Sequence, residues 1–361
     1  MRPIKRIVVT GDVLRINEAG RECQNINIRW LFHLVRPALA MLVDLSVQPL
    51  LHDRVDGNLA QEIYRSNDRK MWLRNWVELY EQNPSESDLA HIGRTFSDAL
   101  VLAFELPDFL RKGLLASGIP YIDLTIHPVR FLDDLAFGIR SNIAGLLEGL
   151  RPWVLAEDDI LIGAGLARAT LARLPAVPEC AKADGWALFA CQTRDDKVLI
   201  RDGALMQATD FAQAFVAMAA RHERILVKPH PVIRVSPLNM LKHLVPNMVE
   251  VDANFYHLLA QDGISHVYSI TSSTSVEAPY FGKVGTHLAR YPYVFSEAKL
   301  SDVDYLQIRA GLHLPQFWAP LLRAAGVECR TPPAVDTTLW PNRMRRSLRN
   351  AWGADILMDN R

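Results

Sequence analysis

Neither sign of charge is in excess in this chain of 361 residues, in which Lys plus Arg and Asp plus Glu number 40 each. A formal net charge of zero lacks the electrostatic footprint of a nucleic-acid binder, so no nucleic-acid partner is expected and any anion site has to be local. Cysteine is scarce as well. Cys23, Cys180, Cys191 and Cys329 stand far apart with no CxxC or Cys/His spacing, which argues against structural zinc and against a disulfide scaffold and suits reduced thiols. No stretch reaches the length of a membrane span. The opening MRPIKRIVVTGDVLR places a short β-type run where a signal peptide needs a longer apolar core. A cytoplasmic protein is the expectation. There is no HExxH and no DxD in a nucleotide-binding setting, and no metal is expected; the pairs Asp158-Asp159 and Asp195-Asp196 are loosely metal-like, the first suiting a solvated turn.

What the chain does have is apolar mass, 49% of its residues, and a length that suits two α/β-sized domains better than one core. Residues 7–10 form a β-branched run ending at Gly11-Asp12, the pattern of a buried parallel strand with a turn at its C-terminal edge. Residues 28–51 read as helical and then extended, and 70–82 and 88–102 as amphipathic helices. IPYIDLTI is strand-like, followed by a helix through Asp133, Asp134 and Arg140 toward residue 150; residues 159–162 read as a strand before a helix to about residue 174. The stretch LPAVPECAKADG, rich in Pro and ending in Gly, marks the linker. Beyond it strands at 186–191, 224–228 and 266–270 alternate with helices at 210–221, 256–261 and 275–281, which implies a parallel sheet covered on both faces. The tail PNRMRRSLRNAWGAD reads as a basic helix. The expected organisation is 1–178 as a first Rossmann-like domain, 179–335 as a second, and 336–361 as a helix packing back on the first.

Two motifs carry chemistry. Lys228-Pro229-His230-Pro231 directly follows the strand RILV. A strand end delivers side chains to the crevice of an open α/β sheet, and the two prolines restrain the backbone about His230, which could donate to a phosphate oxygen while Lys228 adds charge. The same residues also suit a rigid turn with a surface histidine. The run Thr271, Ser272, Ser273, Thr274, Ser275 lies between the strand HVYSI and a helix. Its hydroxyls and backbone N–H groups suit an anion nest, with Glu277 placed to reach a ribose hydroxyl. An ordinary capping box accounts for part of that pattern but not for five hydroxyl residues in a row. Both motifs stand at C-terminal ends of parallel strands, so they can converge on one phosphate.

KPHP and SSTSVEAPYFGKVG resemble the nucleotide motifs of GT-B glycosyltransferases that use CMP-sugars. IPYIDLTIHPVRFLDDLAFG and FACQTRDDKVLIRDG are similar to bacterial retaining β-Kdo transferases of capsule and O-antigen synthesis. The resemblance implies two Rossmann-like domains facing across a cleft, a CMP-Kdo donor held by the second and a saccharide or lipid-linked glycan acceptor held by the first. It implies membrane association only through that acceptor or a partner protein, at the inner face of the inner membrane. Carried onto this chain, His230 meets the CMP phosphate, Ser272 and Ser273 close over it, and Glu277 meets the ribose. Lys228, Pro231, Thr274, Ser275 and Gln192 complete the donor site. The family's QxxxD segment falls on Gln192-Thr193-Arg194-Asp195-Asp196, making Asp196 the expected nucleophile with Asp195 as the alternative. Retention through a covalent adduct needs a second acid/base group, for which Asp123 is the first candidate, with Asp12 and His127 competing. Arg130 could pair with an acidic sugar. Two rivals remain: a GT-B-shaped epimerase or hydrolase acting on a sugar nucleotide, and a polysaccharide-binding module with a dead nucleotide site.

Overall fold

The computed structural model describes residues 3–180, 183–230, 238–241, 243–333 and 342–352. Its contacts divide the chain into two units. The first holds the chain up to His127, then Asp134–Leu155, then the part that starts at Tyr293; the second holds Pro128–Asp133 and Ala156–Pro292. Among the described residues no helix is long and apolar enough to cross a membrane.

In the first unit the chain runs β1 (Arg6–Gly11), α1 (Asn25–Leu42), β2 (Ser46–Pro49), α2 (Leu59–Ser66), α3 (Leu73–Tyr80), α4 (Glu86–Thr95), β3 (Ala99–Phe104), α5 (Asp108–Ala116), β4 (Tyr121–Ile126), β5 (Phe137–Ser141) and α6 (Leu146–Leu150). In the second it runs α7 (Glu157–Leu171), β6 (Trp186–Ala190), the small hairpin β7 (Ile200–Arg201) and β8 (Ala204–Leu205), α8 (Ala212–Arg221), β9 (Ile225–Lys228), α9 (Leu238–Leu241), β10 (Met248–Glu250), α10 (Phe255–Leu259), β11 (Ile264–Ser269), α11 (Thr274–Glu277) and β12 (Val284–His287). It then returns to the first unit as β13 (Phe295–Ser296), β14 (Tyr305–Ile308), α12 (Pro315–Ala324) and α13 (Arg343–Trp352).

Two separate sheets result. The first has seven strands in the order β13-β14-β5-β4-β3-β1-β2, parallel from β4 to β2, with β5 antiparallel to both of its neighbours. The second has five strands in the order β10-β9-β6-β11-β12 and is parallel throughout. Both faces of this second sheet are buried. Ala187, Phe189, Ile225 and Val227 belong to one core and Trp186, Leu188, Leu226 and Val267 to another, as the period of two in a doubly covered sheet requires. This is the α/β class, with parallel strands covered by helices, that the alternating pattern predicts. The helix α13 packs on the first unit, where Met344 and Leu348 join the core and Trp30 Nε1 donates to Ser347 Oγ at 3.0 Å.

Several elements differ from expectation. The division expected at 178 and 335 lies elsewhere by contact. Helix α7 joins the second unit, and the chain is back in the first from Tyr293, because β14 pairs antiparallel with β5 and extends the first sheet. The helix expected over 88–102 ends at Thr95, and Ala99–Phe104 is a fully buried strand. In place of a helix through Arg140 there is the strand β5, and Asp134 caps a distant helix, its carboxylate accepting from the N–H groups of Met344 and Arg345 at 3.1 and 2.9 Å. Residues 159–162 lie inside α7, whose first turn Asp159 caps by accepting from the Ala156 N–H.

Candidate functional site

The order of the second sheet decides where its site lies. The first strand, β6, is central; the chain adds β9 and β10 on one side and then crosses to add β11 and β12 on the other. The order therefore reverses between β6 and β11, and ligands of such sheets bind outside the carboxyl ends of the strands at this point. Gln192, just past β6, and Thr271, just past β11, meet there. Thr271 N–H donates to Gln192 Oε1 at 2.8 Å, Gln192 Nε2 to Thr271 Oγ1 at 3.2 Å, and Thr271 Oγ1 to the Val198 carbonyl at 2.9 Å. Gln192 is thus the clasp that holds two strand ends together, a role its place in the motif does not announce.

On the next strand over, Lys228, Pro229 and His230 close β9, which pairs directly with β6. Burial lowers the His230 pKa below its ordinary value, the charge of Asp196 pulls the other way, and that of Lys228 adds to the lowering. Both charges thus act on the imidazole, and burial favours its neutral form, which has one N–H to donate. Lys228 is only 6% exposed; its ammonium donates to the Asp252 carbonyl at 3.3 Å and lies 3.9 Å from the Asp252 carboxylate. The lysine is tied to the end of β10 and contributes charge to the site. Pro231 lies outside the described residues. Asp196 caps the turn at Lys197–Leu199, its Oδ1 accepting from Val198 N–H at 3.3 Å, and Asp195 precedes it. Burial, with Glu250 adding and Lys228 opposing, pushes the thiol of Cys191, beside Gln192, up to about 12, which disfavours the thiolate.

The serine-rich turn is built from the other side. Ser269 Oγ and Ser275 Oγ are 2.8 Å apart, Ser272 N–H donates to Ser269 Oγ at 3.1 Å, and Thr274 N–H donates to Ser272 Oγ at 3.3 Å. Gly285 on β12 brings this turn in, since a Cβ there would stand 1.9 Å from the Ser275 carbonyl oxygen. The helix expected over 275–281 is one four-residue turn, α11, followed by a 3-10 turn at Ala278–Phe281, so its dipole is small and hydroxyl and amide groups carry what anion binding there is. Among these groups Thr274 Oγ1 is buried without a hydrogen-bond partner, an arrangement that costs about 1–3 kcal/mol unless a ligand or water fills it.

Glu277 is 2% exposed, and its Oε1 accepts from Arg130 N–H and from Tyr256 OH, each at 2.7 Å. It ties the segment Pro128–Asp133 into the second unit, helped by the edge-on contact of Phe131 with Phe281. That bond uses the Arg130 backbone N–H and says nothing of the pairing of its guanidinium with an acidic sugar. Next to the serine turn, His287 Nε2 bonds the Ser272 carbonyl at 2.8 Å, and its ring stacks on Tyr291 at 5.1 Å and 10°. His287, Tyr291 and Tyr256 carry no motif and escape the sequence; only their spacing after β12 and in α10 could have signalled them.

The acid/base candidates belong to the first unit. Asp123 is mid-strand in β4 and 0% exposed. Its Oδ2 accepts from Arg140 Nε at 2.7 Å and from Tyr305 OH at 3.1 Å, and its Oδ1 from Leu106 N–H at 3.0 Å. This is a structural ion pair, and the expected catalytic role of Asp123 is corrected accordingly: a carboxylate with no exposure and these three donors does not face a substrate. Asp12 is nearly as buried, accepting from Trp76 Nε1 at 2.9 Å and Leu14 N–H at 3.2 Å. His127 is buried too, edge-on to Phe295. Among the described residues no group of three or more His, Cys, Asp or Glu is arranged to hold a metal.

No family model matches the chain, and no curated protein matches it. Among solved structures, it is similar to Thermosulfurimonas dismutans KpsC as a β-Kdo 2,7 transferase, at 15% identity and a TM-score of 0.35, over 66% of this chain and 80% of that one. It is also similar to Thermosulfurimonas dismutans KpsC as a β-Kdo 2,4 transferase, at 14% identity and a TM-score of 0.36, over 77% of this chain and 78% of that one.

Proposed function

We propose that the chain is a glycosyltransferase of bacterial surface-polysaccharide synthesis, which takes Kdo or a related 2-keto acid sugar from its CMP derivative at the second unit and passes it to a saccharide or lipid-linked glycan. The observation that carries this reading is the meeting of three adjacent strand ends, β9, β6 and β11, at the reversal of strand order, bringing His230, Asp196 and the serine turn into one neighbourhood. His230 donates its N–H to the CMP phosphate. Ser272, Ser273 and the partnerless hydroxyl of Thr274 supply further donors, Ser275 shapes the turn through Ser269, and Glu277, buried and holding Arg130 N–H and Tyr256 OH, supports the turn in place of the expected contact with the ribose. The positive charge of Lys228 adds to the field, and no metal is called on.

Asp196 is the nucleophile in this scheme, with Asp195 as the alternative. Its carboxylate attacks the anomeric carbon as the bond from that carbon to the phosphate oxygen breaks, and CMP leaves with the bonding electrons. An acceptor hydroxyl, giving its proton to a base, then displaces Asp196, so two inversions give net retention. Burial removes Asp123 from the role of that base, which stays unassigned.

Thermal-shift titration with CMP, UDP and GDP, followed by incubation with CMP-Kdo and a panel of short glycans read by mass spectrometry and NMR, tests the reading. CMP should bind best, and sugar should appear on one of the glycans with the configuration retained. Tighter binding of UDP or GDP, or loss of CMP-Kdo at one rate with and without every glycan, would sink it.

A further inference from the structure

Outside the nucleotide site, the first unit holds an open cavity of about 780 Å³ between the first half of α1, the turn at His313 and α13. Its lining gathers basic side chains, Arg29 and His33 from α1, His313, and Arg343 from the start of α13, of which the two arginines carry the positive charge. The acidic group on its wall is Glu22, whose carboxylate accepts from Asn25 N–H at 3.3 Å. The wall also presents the amides of Asn25 and Asn350 and the hydroxyl of Ser347. His313 Nδ1 is buried with no hydrogen-bond partner, although a buried ring nitrogen normally has one.

We propose that this cavity binds the anionic oxygen group, carboxylate or phosphate, of a sugar, with the guanidinium groups of Arg29 and Arg343 flanking the anion and His313 Nδ1 as its hydrogen-bond partner. Planar guanidinium forks suit both kinds of oxyanion. Amides and a hydroxyl around them suit the hydroxyls of the sugar that bears it. The anion rests on this cavity alone; that its bearer is a sugar rests on the function proposed above.

The test uses the whole chain, with free Kdo, glucose 6-phosphate and glucose as calorimetric probes, each titrated without nucleotide. At least one anionic sugar should bind tenfold or more tightly than glucose, Kdo alone assigning a carboxylate and glucose 6-phosphate alone a phosphate. Arg29→Ala and His313→Phe should each weaken that binding by roughly 10- to 100-fold, the range for a hydrogen bond to a charged group. CMP affinity, measured on the same variants, should stay unchanged. Arg29 is exposed, so its variant keeps the fold if His313→Phe does not. Equal binding of all three sugars, unchanged affinity in Arg29→Ala, or binding of anionic vesicles but of neither anionic sugar overturns the proposal. Failure of CMP to bind the wild type overturns the reading of the second unit and leaves this anion site standing.

Discussion

Replacing Asp123 by Asn separates a structural carboxylate from a catalytic one. The native side chain accepts from Arg140 Nε, Tyr305 OH and Leu106 N–H, while Arg140 NH2 donates to the Leu106 carbonyl at 2.9 Å and its guanidinium lies 4.8 Å from the Tyr305 ring centre. Asparagine keeps the shape and one acceptor oxygen but leaves the Arg140 cation buried against a neutral amide. Breaking a buried pair from one side costs about 3–5 kcal/mol. The exposed pair Arg151–Glu148, at 2.9 Å with both side chains more than half exposed, is the control: Glu148→Gln should cost no more than about 1 kcal/mol. Hydrogen exchange read by mass spectrometry resolves the two units, which a single unfolding transition need not do. Peptides across β4 and β5 should exchange faster in Asp123→Asn by roughly two to three and a half powers of ten, at about 1.4 kcal/mol each. Those across β6 and β9 should not change. Full protection in β4 and β5 together with lost sugar transfer would refute the structural assignment and return Asp123 to the chemistry.

For the second unit, His230→Ala should weaken CMP binding by about 1.5–3 kcal/mol, as for a hydrogen bond to a charged group; unchanged affinity in a CMP titration argues against the phosphate position. Asp196→Asn still offers an oxygen to Val198 N–H, so folding and CMP binding should persist while transfer collapses, and Asp195→Asn should be milder. Intact-mass measurement on the wild type with CMP-Kdo should show one added sugar, mapped within residues 192–197; an adduct elsewhere, or an inverted product, rejects Asp196. Gly285→Ala drives a Cβ into the Ser275 carbonyl and should lower the thermal midpoint of the second unit and its CMP affinity together, at about 1–3 kcal/mol of strain; a variant as stable as the parent contradicts that packing. In the first unit, burial, with Arg343 adding and Asp134 opposing, lowers the His313 pKa from 6.5 to about 4. The unfolded chain then binds the proton first, so stability should be intact above pH 6.5 and fall as the pH drops toward about 4. His313→Phe should flatten that arm of a pH series, and an unchanged slope assigns it to other groups.

How much of this was legible in the sequence depended on whether a residue's environment is local. WALFA and ILVK are apolar runs that end in residues unfit to continue a strand, and they are the fully buried β6 and β9. Short apolar runs elsewhere misled. ALVLAF follows an amphipathic helix closely, so its period cannot be told from a continuing helix; in the fold α4 ends at Thr95 and the chain passes through Asp98 in the left-handed region, at φ 55°, before the strand begins. In α7, residues 159–162 mimic a strand because Leu161 and Ile162 are exposed while Ile160 and Ala164 are buried, which blurs the helical stripe. Arg140 made β5 look like a solvated helix, since a lone charge in a short segment is usually at the surface.

Asp196 and Asp123, the first-choice aspartates of the two units, show why their sites differ in how far the sequence announces them. In an all-parallel sheet every strand delivers its C-terminal end to the same edge, so residues just past β6, β9 and β11 are neighbours however far apart in sequence; Gln192 and Thr271 are 79 residues apart and hydrogen-bonded. A motif following a strand is therefore already a statement about location. Asp123 is inside its strand, and its environment is set by register: β5 turns back antiparallel and places Arg140 directly opposite, and β14 brings Tyr305 from 182 residues away. Nothing near IPYIDLTI announces either partner. Past the end of a strand, a residue's type and position suffice to propose a role; within one, the role follows from whatever strand the fold pairs beside it, and here that is an arginine that makes the carboxylate part of the core.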